Sequence, residues 1–300
     1  MQYQLLIQDL QRRGITARER EPLSRHTTFK IGGPAAVFCE PETGEQLSAA
    51  LRLCKEAGVR RYLLGKGSNV LFADEGFDGV VVCLNRLACR ARREGNTLWA
   101  GAGDSLARVC TAAAKAGLGG LEFAYGIPGS VGGAVYMNAG AYGGEIKDVL
   151  QAVTFLDETG GEHTLPASQL QLGYRTSIFE QRPWCVLQAQ FCLTPADPAE
   201  IGARMRGYAD RRAEKQPLDL PSAGSTFKRP AGAFAGALIQ QCGLRGFSVG
   251  GAAISEKHCG FVVNQGGATC ADVLALTEEV CRIVREKTGY VLEKEVRVVR

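Results

Sequence analysis

The chain has 300 residues, 45% of them hydrophobic, and a formal net charge of only +4 at pH 7. This length and apolar content suffice for a buried core and predict two or three domains. Because no basic block with interleaved aromatic residues occurs, nucleic-acid binding is disfavoured, whereas a mildly basic site for an anionic small molecule fits the charge.

The cysteine and histidine content argues against a disulfide framework and against a metal site. The 11 cysteines form no CxxC pair, and the 3 histidines lack paired ligand spacing. Cysteines such as Cys54, Cys110 and Cys281 lie in apolar runs and are predicted to be small buried hydrophobic residues in a reducing compartment.

The first residues, MQYQLLIQDLQRRG, have the pattern of an amphipathic helix rather than of a signal peptide. No apolar run reaches the length needed to span a membrane. We therefore expect a soluble cytoplasmic protein. Its expected state is a monomer, although no sequence feature fixes the oligomeric state.

The first part of the chain alternates between helical and extended patterns. A helix is predicted where Leu47, Leu51 and Cys54 recur at helical spacing, and Gly58 is predicted to stop it. The following segment, RRYLLGKGSNVLF, predicts a short strand, a glycine loop and a second strand. The segment FDGVVVCL predicts a further buried strand.

A second lobe is predicted to begin near Asn85. It contains the strand NTLWAGAG and a helix that we expect to start at Asp104 as N-cap and to end near Gly117. The glycine-rich stretch 122–144 shows little periodicity. A hairpin with its turn near residues 160–161 and the strand PWCVLQAQFCLTP complete this lobe.

The last third begins with a charged helix, PADPAEIGARMRGYADRRAEKQP. It continues with a helix over 235–242, the strand HCGFVVN and a long helix predicted to be capped by Asp272 and ended by Gly289. The closing segment YVLEKEVRVV predicts a strand with Glu293, Glu295 and Arg297 on one face. The predicted fold class is α+β, in three lobes over 1–84, 85–200 and 201–300.

Two glycine-rich loops in different lobes are the main candidates for ligand binding, since the chain has no GxGxxG, P-loop or GxSxG motif. Residues 65–71 (GKGSNVL) can turn backbone N–H groups into one concavity that holds phosphate oxygens. Residues 126–134 (GIPGSVGGA) remove side chains along one surface. Together they suggest an extended dinucleotide clamped between two lobes, although either loop alone is compatible with an ordinary tight connection.

In order and spacing, the motifs of the chain resemble the UDP-N-acetylenolpyruvoylglucosamine reductase family. The matching segments are HTTFKIGGPA, LGKGSNVLF, GIPGSVGGAVYMNAGAYG, GYRTS, GSTFKRP, HCGFVVN and the closing EVR. The resemblance spans nearly the whole chain and points to the shorter class of the family, because no long insertion occurs in the second or third lobe.

The resemblance implies an FAD-binding fold of the vanillyl-alcohol-oxidase type in two lobes, followed by a substrate-binding α+β lobe. FAD is expected to be held non-covalently, which fits the absent GxGxxG motif. The residues implied at the FAD pyrophosphate are Gly65, Gly67, Ser68 and Asn69, with Val70 beside them, and those implied along the adenine-to-flavin path are Ile127, Pro128, Gly129, Ser130, Gly132 and Gly133.

The resemblance also implies a two-step reduction of the enolpyruvyl ether of a UDP-sugar, with NADPH as the hydride donor. Ser225 matches the family's proton donor and Arg175 matches the arginine that binds the substrate carboxylate. Glu295 matches the glutamate near the carbon that becomes an enolate. The further substrate-binding candidates are Tyr142, Lys215, Lys228, Arg229, His258 and Arg297.

Two departures from the family pattern concern contacts to the substrate diphosphate. Lys294 stands where the family often has proline, and Arg229 stands where it often has asparagine. Two other functions stay open at this point. One is an oxidase of the same fold, with His26 as a possible covalent flavin anchor, and the other is a flavin- or nucleotide-sugar-binding protein without turnover.

Overall fold

The computed structural model describes residues 2–87 and 91–300. Its α-helices are α1 (Gln2–Arg12), α2 (Gly44–Glu56), α3 (Leu106–Lys115), α4 (Val131–Tyr136), α5 (Ile178–Gln181), α6 (Pro198–Lys215), α7 (Ala235–Gln241) and α8 (Cys270–Thr288).

The strands up to residue 145 are β1 (Thr16–Pro22), β2 (Pro34–Glu40), β3 (Arg61–Leu64), β4 (Val70–Phe72), β5 (Phe77–Cys83), β6 (Arg92–Glu94), β7 (Thr97–Gly101), β8 (Leu118–Gly119), β9 (Gly140–Ala141) and β10 (Gly144–Glu145). The later strands are β11 (Leu150–Leu156), β12 (Glu162–Pro166), β13 (Cys185–Cys192), β14 (Thr194–Pro195), β15 (Ser222–Ser225), β16 (Ser248–Val249), β17 (Ala252–Ile254), β18 (Phe261–Asn264) and β19 (Arg297–Val299). This mixture of helices and strands confirms the predicted α+β class.

The chain packs as two units, each with its own hydrophobic core. The first unit comprises Met1–Glu19, Val37–Lys66 and Gly79–Arg211. The second unit comprises Arg20–Ala36, Gly67–Asp78 and Arg212–Arg300. The division of the chain into three lobes stays a prediction.

The first unit contains a five-stranded antiparallel sheet in the order β12-β11-β13-β7-β6. Alternating residues bury one of its faces, among them Val153 and Phe155 of β11 and Ala189 and Phe191 of β13. Helix α4 packs against β13. The β11–β12 hairpin and its turn at residues 160–161 are as predicted.

The second unit contains a four-stranded antiparallel sheet in the order β15-β18-β17-β16, on which α8 packs. Helix α8 buries Val273, Leu276, Val280 and Val284, which follow helical spacing along one stripe. Strand β19 pairs in parallel with β4, so the end of the chain lies beside the glycine loop that precedes β4. A separate four-stranded sheet, to which Arg61–Leu64 of the first unit belongs, has the order β1-β2-β5-β3.

Three sequence predictions about element ends are wrong, and a capping contact explains the first. Asp272 is not the N-cap of α8: Thr269 is, and its Oγ1 accepts a hydrogen bond from Asp272 N (3.0 Å) while Asp272 Oδ2 accepts from Thr269 N (3.0 Å). This is a reciprocal capping box. The predicted end at Gly289 is confirmed by its left-handed φ of 76°.

The predicted start of α3 is also wrong, again because of a contact made by an aspartate. Ser105 is its N-cap, whereas Asp104 Oδ2 accepts from Gly101 N (2.8 Å) and closes the turn between β7 and α3. An aspartate before a helix can either cap the helix or close the preceding turn, because its carboxylate bonds to whichever backbone amide the turn brings close.

The predicted closing strand is shorter than expected. Residues 290–296 lie outside β19, so Glu293, Glu295 and Arg297 do not share the face of one strand. The reason is a change of partner along the segment. Glu295 N donates to Thr226 O (2.8 Å), whereas Arg297 N donates to Asn69 O (3.1 Å).

The glycine-rich stretch 122–144 contains a helix that the sequence did not predict. Ser130 caps α4 through its Oγ, which accepts from Gly133 N (3.3 Å). Val131, Ala134 and Val135 are buried. Packing therefore stabilises a helix whose two glycines disfavour it intrinsically.

The cysteines agree with the prediction of buried thiols. All ten described cysteines are free, and Cys54 and Cys110 are buried, whereas Cys281 is half-buried. Burial raises the pKa of the Cys54 thiol to about 11 and that of Cys110 to about 12, which keeps both protonated. Cys89 lies outside the described residues. None of the helices in the described part of the chain is long and apolar enough to cross a bilayer.

Candidate active site

The glycine loop between β3 and β4 lies against the HTTFK segment within the second unit. Gly67 has a φ of 64°, and a Cβ there would lie 2.1 Å from His26 O. Its own carbonyl accepts from Thr28 N (3.1 Å). Glycine is therefore required at this position by both the backbone conformation and the close approach of another backbone.

The next residues of this loop connect it to the end of the chain. Asn69 O accepts from Arg297 N (3.1 Å), and Asn69 Nδ2 donates to Glu295 O (3.3 Å). The C=O and N–H of a planar trans peptide point in opposite directions. With the carbonyls of Gly67 and Asn69 bonded to their own unit, the amides of Ser68 and Val70 are directed away from Thr28 and Arg297, as a backbone site for phosphate oxygens requires.

Ser225 and Glu295 are brought to neighbouring segments of the second unit. Thr226, the residue after Ser225, is buried and bonds in three directions: its N donates to Gly260 O (2.8 Å), its Oγ1 accepts from Val262 N (3.0 Å), and its O accepts from Glu295 N (2.8 Å). The last of these bonds joins the backbone of Glu295 to that of the residue after Ser225. Ser225 itself is exposed at the end of β15.

The cationic substrate candidates of the second unit occupy different surroundings. Lys228 Nζ lies 3.3 Å from Glu293 Oε2 in an exposed ion pair, and the Arg229 guanidinium lies 4.2 Å from the centre of the Phe234 ring. Lys215 is exposed at the end of α6. All three side chains are at least partly exposed to solvent.

His258 is placed as a neutral ring. Its Nδ1 accepts from Gly260 N (3.0 Å), and its ring meets Phe261 edge-on at 5.1 Å between centres. Burial lowers the pKa of His258 below its ordinary value, so the imidazole is uncharged at pH 7. With Nδ1 accepting, the proton lies on Nε2, which is the nitrogen able to donate to a ligand.

The second glycine-rich stretch lies in the first unit, with Gly65. A Cβ on Gly65 would lie 2.4 Å from Ser130 Oγ, and a Cβ on Gly132 would lie 3.0 Å from that of Ala102. Gly132 N donates to Ala102 O (2.9 Å), and Gly129 O accepts from Leu106 N (3.1 Å). Gly65 thus leaves room for the Ser130 hydroxyl and Gly132 for Ala102, whereas Pro128 and Gly133 are exposed.

Arg175 lies in a four-residue turn of the first unit. Gly173 N donates to Thr176 O (3.1 Å), and Thr176 N donates to Gly173 O (3.4 Å). The Arg175 φ of 58° is left-handed, a conformation that usually selects glycine or asparagine at this turn position. Its Nη2 donates to Gly140 O (3.2 Å).

Asn138 was not singled out from the sequence. It lies beside the turn that carries Arg175. It is fully buried, and its Nδ2 donates to Glu145 Oε2 (3.0 Å) and to Gly173 O (2.9 Å). The hydrogen bond from Lys147, followed by that from Asn138, holds the pKa of Glu145 below its usual range, which keeps the carboxylate charged. The motif MNAGAYG could have pointed to this residue. An asparagine that is buried must form hydrogen bonds with both ends of its amide.

Tyr142 lies at the tip of the β9–β10 hairpin with a left-handed φ of 53°. Its ring stacks on Tyr208 of α6 at 4.6 Å between centres and an angle of 13°, and its hydroxyl donates to Tyr208 O (3.2 Å). Helix α6 is in turn tied to the same unit by Arg204, which bonds to the buried Glu122 through Nη2 (2.7 Å). Tyr208 is a second residue that the sequence did not suggest.

Two further possibilities for the site are a bound metal ion and a covalent flavin anchor. Among residues 2–87 and 91–300, no group of three His, Cys, Asp or Glu side chains is arranged to hold a metal ion. His26, the residue that a covalent flavin anchor would use, has its Nε2 2.8 Å from Glu21 Oε1. Its ring nitrogen thus lies within hydrogen-bonding distance of a carboxylate.

Two family models match most of the chain. The model described as FAD binding domain matches residues 34–165. The model described as UDP-N-acetylenolpyruvoylglucosamine reductase, C-terminal domain, matches residues 216–299. The first range includes both glycine-rich loops, and the second includes Ser225 and Glu295.

Similar proteins cover nearly the whole chain. The UDP-N-acetylenolpyruvoylglucosamine reductase of Clostridium botulinum (strain Eklund 17B / Type B) is 46% identical over 282 residues, which is 94% of this chain and 92% of that protein. The reductase of Lachnoclostridium phytofermentans is 46% identical over 303 residues, covering 98% and 97%.

Solved structures give the same result. The crystal structure of UDP-N-acetylenolpyruvylglucosamine reductase from Thermus caldophilus has a TM-score of 0.80 and 36% identity, covering 95% of this chain and 99% of that chain. A berberine bridge enzyme variant, with a TM-score of 0.51 and 16% identity over 64% of this chain and 44% of that chain, shares the fold alone. The chain therefore belongs to the UDP-N-acetylenolpyruvoylglucosamine reductase family and is an oxidoreductase built on an FAD-binding domain.

Proposed function

We propose that the protein reduces UDP-N-acetylglucosamine enolpyruvate to UDP-N-acetylmuramate, with NADPH as hydride donor and non-covalently bound FAD, in cytoplasmic synthesis of a peptidoglycan precursor. The observation that supports this most directly is the bond from Glu295 N to Thr226 O. It holds the implied proton donor, Ser225, and the implied enolate partner, Glu295, on neighbouring segments. This bond joins Thr226 and Glu295, which are 69 positions apart in the chain, and it supports a shared site for Ser225 and Glu295.

The residues of the glycine loops fit a bound dinucleotide. The amides of Ser68 and Val70, which point away from Thr28 and Arg297, suit the pyrophosphate together with the side chains of Ser68 and Asn69. A Cβ would block the close approach of the Ser130 hydroxyl to Gly65 and of the His26 carbonyl to Gly67. The stretch 127–133 would line the remaining path. The chemistry that bound FAD supplies is hydride transfer from NADPH to the enolpyruvyl methylene carbon.

Arg175 and Glu295 would act on the substrate carboxylate. Adding a hydride to the methylene carbon leaves negative charge on the neighbouring carbon and on its carboxylate, as in an enolate. A guanidinium binds a carboxylate through two parallel hydrogen bonds, so Arg175 would hold and stabilise this charge. Glu295 would polarise the same group, and a protonated form of Glu295 would donate a hydrogen bond to it.

Ser225 would then donate a proton to the carbon that carries the negative charge. A serine hydroxyl is a weak acid, and its exposed position at the end of β15 lets a substrate approach it. The cation of Lys228, three residues further along, is the nearest in the chain to stabilise the alkoxide electrostatically. Lys215 and Arg229 would bind the substrate diphosphate, for which Tyr142 is a further candidate. His258 and Arg297 are further candidates for contact with the substrate.

The experiment is an anaerobic absorption spectrum of the purified protein, followed by NADPH and then by the enolpyruvyl sugar nucleotide. We expect a flavin band at ~450 nm that NADPH bleaches and that the substrate restores. Acid precipitation should release the flavin into solution. Absence of the band after addition of FAD, or a failure of the sugar nucleotide to restore it, would overturn the proposal. Flavin that stays with the acid precipitate would show a covalent tether instead.

A further inference from the structure

The turn that carries Arg175 is held at three points by one short segment, residues 136–140. Asn138 Nδ2 donates to Gly173 O at the start of the turn (2.9 Å). Ser177 Oγ, just after the turn, donates to Tyr136 O (2.7 Å). The guanidinium itself donates to Gly140 O (3.2 Å).

Such anchoring is needed because the turn is strained. Arg175 has a φ of 58° in the third position of the turn, where glycine or asparagine is usual. A non-glycine residue keeps this conformation when surrounding contacts impose it. A relaxed turn would redirect the guanidinium, since the side chain leaves the backbone at a different angle.

Asn138 is the central contact of this segment because its amide is fully used. Its Nδ2 carries two hydrogens, one for Gly173 O and one for Glu145 Oε2 (3.0 Å), and its Oδ1 accepts from Lys147 N (2.9 Å). The two acceptors and the one donor fix which end of the amide faces the turn. The residue is also fully buried and has a left-handed φ of 40°.

We propose that Asn138 is a positioning residue for Arg175: it fixes the 173–176 turn so that the guanidinium takes the direction in which it binds the substrate carboxylate. This role rests on the proposed function, in which Arg175 binds that carboxylate. Asn138 is expected not to touch the substrate. Its effect should therefore appear only in steps that use Arg175.

The first test is Asn138→Asp, which keeps the shape of the side chain and removes both donors. Stopped-flow spectroscopy would follow the two half-reactions separately. We expect flavin reduction by NADPH to keep its rate, and reoxidation by the enolpyruvyl sugar nucleotide to slow about 10²-fold, as a small displacement of a binding group does. The matched control is Asn96→Asp, an exposed asparagine in the β6–β7 turn. Equal slowing of both half-reactions would overturn the role.

A double-mutant cycle separates positioning from general damage. If Asn138 acts through Arg175, the Asn138→Asp change should have almost no further effect on reoxidation in an Arg175→Ala background. Multiplicative effects of the two changes would show that Asn138 acts independently of Arg175 and would overturn the inference.

The new carboxylate of Asn138→Asp lies beside Glu145 and could prevent folding through repulsion. The variant Asn138→Asp/Glu145→Gln removes this obstacle, because the glutamine amide can donate to the aspartate while Gly173 O still lacks the hydrogen bond from residue 138. We expect the melting temperature to recover and the reoxidation defect to persist. Recovery of both would show a purely structural role.

The failure of the inference is distinguishable from the failure of the proposed function. If the wild-type flavin is not reoxidised by the enolpyruvyl sugar nucleotide, the proposed reaction is wrong. A crystal structure of Asn138→Asp/Glu145→Gln still decides the inference in that case. We expect the 173–176 turn to relax and the bond from Arg175 Nη2 to Gly140 O to be lost, and an unchanged turn would overturn the inference.

Discussion

The two units hold their candidate catalytic groups by different means. In the first unit, Arg175 depends on side chains: the Asn138 amide and the Ser177 hydroxyl fasten its turn to the segment 136–140. In the second unit, Ser225 and Glu295 depend mainly on backbone bonds, since Glu295 N bonds to Thr226 O and Arg297 N bonds to Asn69 O, with one side-chain bond from Asn69 Nδ2 to Glu295 O.

This difference determines how each region should respond to substitution. A backbone bond survives most side-chain changes, so in the second unit the chemistry should be lost chiefly when the reacting group itself is removed. A turn fastened by side chains can be disturbed from residues that never touch the substrate. The first unit should therefore be sensitive over a wider set of positions.

The largest expected effect is that of Ser225→Ala. Removing the proton donor should slow reoxidation of the flavin by the enolpyruvyl sugar nucleotide about 10²- to 10⁴-fold, the usual contribution of general acid catalysis. Flavin reduction by NADPH does not need this proton and should keep its rate. Stopped-flow absorbance measures both steps. The control is Ser222→Ala in the same strand, and equal slowing of the two half-reactions would contradict the assigned role.

The next effect is that of Arg175→Lys. An ammonium cannot replace the planar fork of a guanidinium. Losing one charged hydrogen bond to the carboxylate costs about 1.5–3 kcal/mol, so the KM for the sugar nucleotide should rise about 10- to 100-fold. Steady-state kinetics tests this, with Arg182→Lys in the same unit as control. Near-normal turnover of Arg175→Lys at low substrate would argue against carboxylate binding by this side chain.

A smaller effect is expected at the stacked pair of Tyr142 and Tyr208. Tyr208→Leu removes a stacking contact worth about 0.5–1.5 kcal/mol, which lowers the free energy of unfolding and should raise the KM less than about 10-fold. Tyr208→Phe is the matched control, because it keeps the ring and the backbone carbonyl that accepts the Tyr142 hydroxyl. Denaturant titration and steady-state kinetics measure the two quantities. A stability loss in the phenylalanine variant as large as in the leucine variant would contradict the stacking argument.

The smallest effect concerns Asp272 in the capping box of α8. Asp272→Ala should lower stability at pH 7 by about 0.3–1 kcal/mol through the lost charge at the helix N-terminus, without slowing either half-reaction. Hydrogen bonds from Thr269 N and Oγ1 hold the pKa of Asp272 below its ordinary value.

The pH dependence of this effect follows from the lowered pKa. The stabilisation by Asp272 is complete above the unfolded-state pKa of about 3.9 and is lost as the pH falls through the lower folded-state pKa. The stability difference between wild type and Asp272→Ala should therefore shrink below about pH 4, as followed by denaturant titration. Asp219→Ala, in an exposed loop, is the control. A difference that grows in acid would contradict this account.

Short-range patterns in the sequence were sufficient for most of the fold. Helical spacing predicted α2 and α8, and alternation with a glycine turn predicted the β11–β12 hairpin. The same patterns placed two wrong N-caps, at Asp104 and Asp272, because the residue that a carboxylate bonds to is decided by the turn around it. Helix α4 was missed because burial, not propensity, stabilises it.

For the site, the motifs and their order were enough to suggest the glycine loops, Arg175, Ser225 and Glu295, whose roles stay predictions. The contacts that hold these residues could not be predicted from the motifs, because the pairs that hold them are far apart in the chain. Asn138 meets Gly173 over 35 positions, and Asn69 meets Glu295 over 226. Local preferences act over a few residues, whereas such hydrogen bonds exist only once burial has brought the distant segments together.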